Sequence, residues 1–131
     1  MLKVWLAILG PIAVLGYSIT AFVLKTQAHE LHSSVGIVCD TTEQVTRYVQ
    51  LLDGNAQEAA ELVNVEVQNP QACMILAVVY IKGDIKTHVT HKGKSLIVQE
   101  VVVLAVHTNG GLLRVQPTVQ YALFADPDRG A

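Results

Sequence analysis

The sequence predicts an α+β protein: an N-terminal hydrophobic helix, then a strand, two helices and a four-stranded antiparallel meander. Three observations carry this. Residues 40–67 repeat apolar side chains at helical spacing, residues 73–125 are rich in β-branched runs broken by glycine turns, and Cys39 and Cys73 stand where the two patterns meet. With 131 residues, the chain has room for one domain and an appendage.

The appendage is Val4–Leu24, twenty-one residues without a charge between Lys3 and Lys25. As a helix it would be about 31 Å long, the thickness of a bilayer core. Trp5 stands near its start, where an interfacial aromatic belongs. Residues 1–28 therefore read as a membrane anchor or a signal segment. The run is longer than the usual signal core, yet Thr26-Gln27-Ala28 loosely resembles a signal cleavage site, so both a retained transmembrane helix and a cleaved, secreted or periplasmic protein stay open. Lys3 and Lys25 balance each other and orient the segment only weakly.

Residues 29–34 read as a linker and residues 35–125 as a single domain. Val35–Cys39 is a short apolar strand. A capping box follows, either Asp40 with Glu43 or Thr41 with Gln44. Val45, Tyr48, Val49 and Leu52 form one helical face, which Asp53-Gly54-Asn55 ends. A second helix spans Ala56–Val67 and stops before Asn69-Pro70.

Met74–Lys82 is apolar and β-branched, a central strand. Gly83-Asp84 is a two-residue hairpin signal, after which Ile85, Thr87 and Val89 alternate with Lys86, His88 and Thr90. Lys92-Gly93 and Asn109-Gly110 mark two further turns around a long strand, Ser95–His107. In the last strand Pro117 lacks a backbone donor, which suits an edge or a bulge. A strand as long as Ser95–His107 should bend and change neighbours, giving a strongly coiled sheet or a small SH3-like barrel. Residues 126–131 read as a flexible tail.

Both cysteines lie in the globular part, bracketing the two helices. Such usage suits an oxidising, extracytoplasmic compartment and a structural disulfide, Cys39–Cys73. Its loop of about 35 residues would be worth roughly 3–4 kcal/mol in the chain-entropy model. No C-x-x-C spacing supports a redox pair.

The stretch Val35-Gly36-Ile37-Val38-Cys39-Asp40-Thr41-Thr42-Glu43-Gln44, with the later Cys73, resembles a group of small uncharacterised exported bacterial proteins. The resemblance covers roughly residues 35–124. It implies export and a disulfide-held domain, and no chemistry.

Catalytic and metal signatures are thin. His29-Glu30-Leu31-His32 has its histidines three apart, whereas the zinc-protease helix needs them four apart. His88 and His91 fall on opposite faces of a strand, so joint ligation, with or without His107, needs a bulge. No serine has a nucleophile-elbow setting, and no glycine-rich phosphate loop occurs. Glu100 shares a face with Leu96, Val98, Val102 and Leu104, so it is either a partly buried functional carboxylate or a residue turned into solvent at a bend or paired with a lysine.

Lys82, Lys86, Lys92 and Lys94 make the hairpin region basic, while residues 43–66 are acidic. The lysines suit either an anionic surface or protein partner, or simple protection of a strand edge. A formal net charge of −2 and 5% aromatics argue against nucleic acid. The resulting expectation is a non-enzymatic extracytoplasmic binding or accessory domain, tethered to a membrane through residues 4–24 and using no cofactor. The alternative is an extracytoplasmic enzyme or metal-binding protein built on Glu100 or the hairpin histidines.

Overall fold

The computed structural model describes residues 30–128. In order they form β1 (Leu31–Cys39), α1 (Thr42–Leu51), α2 (Ala56–Val67), β2 (Cys73–His91), β3 (Lys94–Thr108) and β4 (Gly111–Ala125). The four strands form an antiparallel barrel in the order β1-β2-β3-β4. The run Val4–Leu24 lies outside the described residues, among which no helix is long and apolar enough to cross a membrane.

Local chemistry accounts for the helices. At α1 the capping box is Thr41 with Gln44: Gln44 N–H donates to Thr41 Oγ1 (3.1 Å), and Thr41 N–H donates to Gln44 Oε1 (3.2 Å). Asp40, the other candidate cap, instead accepts from Gln120 Nε2 on β4 (3.1 Å). Val45, Tyr48 and Val49 are the buried face of α1, and burial raises the Tyr48 phenol above its ordinary pKa. Asn55 caps α2 by accepting from Glu58 N–H (3.0 Å), and Ala59, Ala60 and Val63 are buried. Small residues there let α2 pack close. At its end Gln68 turns left-handed (φ 59°).

Alternation along the strands divides the core in two. One cluster joins the helices to the outer sheet face through Ile37, Cys39, Cys73 and Val98. The other fills the barrel with Val38, Val78, Tyr80, Val101, Val103 and Ala122. Neighbours such as Val38 and Cys39 thus serve opposite sides of one sheet.

Cys39 and Cys73 are disulfide-bonded and sit opposite each other in the β1–β2 register, Cα atoms 4.1 Å apart. Both are buried. Asn64 on α2 completes the joint: Cys73 N–H donates to its Oδ1 (2.7 Å), and its Nδ2 donates to Cys73 O (2.9 Å) and Pro70 O (3.0 Å).

Three boundaries differ from the sequence expectation. β1 starts at Leu31, so residues 31–34 are strand rather than linker. Gly83-Asp84 is not a turn, and β2 runs unbroken for 19 residues. Two-residue hairpin turns need positive φ, which neither residue has. The glycine instead permits close approach: a Cβ at Gly83 would lie 2.8 Å from Glu100 Oε1. Register shifts around Ile85 mark bulges that bend β2 there. Asp126, placed in the tail, is 3% exposed, accepting from Ser95 Oγ (2.9 Å). Pro117 does sit in a bulge, within the register break between Arg114 and Thr118.

Two predictions follow from these joints. Asn64→Ala, with the disulfide intact, should lower unfolding free energy in urea by about 1–3 kcal/mol, because two buried backbone groups of Cys73 lose their partner. Arg47 bonds Glu66 across the two helices (2.9 Å) and holds its carboxyl below the ordinary value of 4.5. A carboxyl lowered in the fold stabilises above its unfolded value and loses that contribution as pH falls through the lowered one. The melting-temperature advantage over Glu66→Gln should therefore be small at neutral pH and vanish in acid; an advantage growing in acid would contradict it.

Candidate functional site: an apolar cleft at the barrel seam

β1 pairs with β2 along its whole length but with β4 only at Val38↔Ala122 and Cys39↔Tyr121. Beyond those two rungs the strands part. The gap is a cleft of about 300 Å³, floored by Val78, Tyr80 and Val101 of the barrel interior and walled by residues 34–38 and 122–125. That size is at the lower end for small-molecule sites.

Gly36 lies in the wall of β1. Its φ is not positive, and a Cβ built on it meets nothing within 4 Å. Neither turn geometry nor crowding therefore requires glycine, although glycine weakens a strand. What it does is leave the cleft unfilled.

The polar side chains of the cleft are two, Ser34 and Tyr80. Ser34 Oγ donates to the Tyr80 hydroxyl (3.3 Å). Tyr80 stacks on His32 (centroids 5.5 Å apart) and on Phe124 (5.8 Å). Lys82 Nζ lies 5.1 Å from the centre of the Phe124 ring. One exposed cation therefore stands beside an aromatic wall of the cleft.

Of the sequence candidates, the structure places Lys82 beside this site, against Phe124 but outside the lining, and disperses the rest. Lys86 follows the bend of β2, while Lys92 and Lys94 flank the β2–β3 turn, so the four lysines extend along the hairpin. Glu100 is half-buried on β3 opposite Tyr121, packed over Gly83, and belongs to neither ion pair of the described residues, Arg47–Glu66 and His88–Asp126. His88 Nε2 lies 3.9 Å from Asp126 Oδ2, and His91 pairs with Lys94 near the turn. His107 lies towards the other end of β3, beside Ser33 (3.4 Å). Among the described residues no three His, Cys, Asp or Glu side chains gather as a metal site would require. The cleft contains none of these residues.

Gly36, Tyr80 and Phe124 were not singled out as site residues in the sequence. The available signal was Gly36, a glycine inside an otherwise apolar strand. Compared with protein-family models, curated proteins and solved structures, the chain matches none.

Cavity filling gives a direct check on the cleft. Gly36→Leu should fold with an unchanged or slightly raised melting temperature, since its side chain enters open space. A loss of several degrees would mean that the seam is closed around Gly36.

Proposed function

We propose that this protein is a non-enzymatic binding module, held outside the cytoplasm and tethered to a membrane by residues 4–24. The observation that carries the reading is the open cleft, an apolar surface inside a barrel that stays accessible because β1 and β4 separate and because Gly36 carries no side chain. A domain of this size gains stability from closing its core. Leaving part of it open, lined mostly by carbon and without an acid, base or thiol side chain, suits recognition of a largely apolar ligand more than bond-making.

The disulfide supports an oxidising compartment. The uncharged run Val4–Leu24 supports the tether, with a cleaved signal as the other processing outcome. An enzyme built on Glu100, His88, His91 and His107 draws no support from their separation along the strands.

The test is purification of the full chain from its native host, with extraction and mass spectrometry of co-purifying small molecules. Wild type should carry a compound that Gly36→Leu lacks, while Glu100→Gln and His91→Ala keep it. Equal content in wild type and Gly36→Leu would contradict the reading. For the tether, the chain should remain with membranes through an alkaline carbonate wash; release into the soluble fraction would contradict retention.

A further inference from the structure

Resting on that reading, we infer that the cleft takes the acyl chain of an anionic amphiphile, with Lys82 receiving its head group. Three features of the site point to this ligand class.

The cleft interior is mostly carbon, from Val38, Val78, Val101, Ala122 and Phe124, with polar surface from Ser34, Tyr80 and the parted strand edges. Its two hydroxyl side chains, Ser34 and Tyr80, already bond each other.

One positive charge stands beside the cleft wall. Lys82 is exposed, spans the Phe124 ring and belongs to neither ion pair among the described residues. An ammonium there attracts a carboxylate or phosphate and repels a cationic head. His32, stacked on Tyr80, lies on the same aromatic row.

Gly36 supplies the room. A glycine within a strand commonly marks a close approach by a ligand or another backbone. Here the approaching group would run along the gap between residues 34–38 and 122–125.

The rival occupant is a polypeptide strand on the two open strand edges. Such a strand would use backbone hydrogen bonds and would not depend on the sign of the charge at position 82.

The experiment uses the full-length chain in phosphatidylcholine nanodiscs, with lauric acid bearing a terminal diazirine as photoprobe. After irradiation, the adduct should map to residues 34–38 or 122–125. Labelling should fall about tenfold or more in Gly36→Leu, a loss of at least about 1.4 kcal/mol in binding. Lys82→Glu should weaken the acid probe and favour the matching diazirine-bearing dodecylamine. Displacement by free laurate assigns a soluble fatty acid as the source, and displacement by phosphatidylglycerol in the disc assigns a membrane lipid; both support the inference. Labelling elsewhere, equal labelling in Gly36→Leu, or indifference to Lys82→Glu overturns it. If Gly36→Leu strips a co-purifying compound while the photoprobe never enters the cleft, the binding-module reading survives and the acyl assignment falls.

Discussion

The rest of this domain depends on one covalent constraint, the Cys39–Cys73 bond. It joins residues that are already opposite each other in the β1–β2 ladder, so it fixes register as well as proximity. Chain leaving Cys39 builds two helices and returns at Cys73, a separation of 34 residues. Around the joint, Asp40 N–H donates to Ala72 O (3.0 Å) and Asn64 takes both backbone groups of Cys73. The helices are thereby pinned over one end of the barrel, where their apolar faces meet Ile37, Cys39 and Val98.

The cleft follows from the same constraint. β1 is tied at its carboxy-terminal end, and only there does it reach β4. Its other end stays with β2 alone, while β4 continues along β3 to Ala125. A barrel closed at one end and parted at the other needs no moving lid to admit a ligand. Gly36 and Lys82 then give the opening its depth and its charge.

Much of this was legible in the sequence because it is local. The α2 bounds, the Thr41–Gln44 cap, the Lys92-Gly93 turn and the cysteine pair each rest on residues within a few positions or on a single pairing. What escaped the sequence is set by partners far along the chain. Gly83-Asp84 has the composition of a turn, but Glu100 across the ladder decides that it is a bend. Residues 31–34 lack a periodic apolar pattern, and pairing with β2 makes them strand. The roles of Asn64, Tyr80 and Phe124 arise only once nonlocal elements meet. In the sequence Lys82 is one of four similar lysines, and its distinguishing feature, the ring of Phe124 beneath it, comes from the fold.

The most direct measurement is amide hydrogen exchange of the full chain, before and after reduction of the disulfide. If Cys39–Cys73 is the constraint on which the architecture rests, reduction will accelerate exchange at Val38 and Cys39, at the start of β2, and through both helices. The distant β2–β3 turn near His91 and Lys94 will keep its original rates. An exchange pattern around the helices that reduction leaves unchanged would contradict the account.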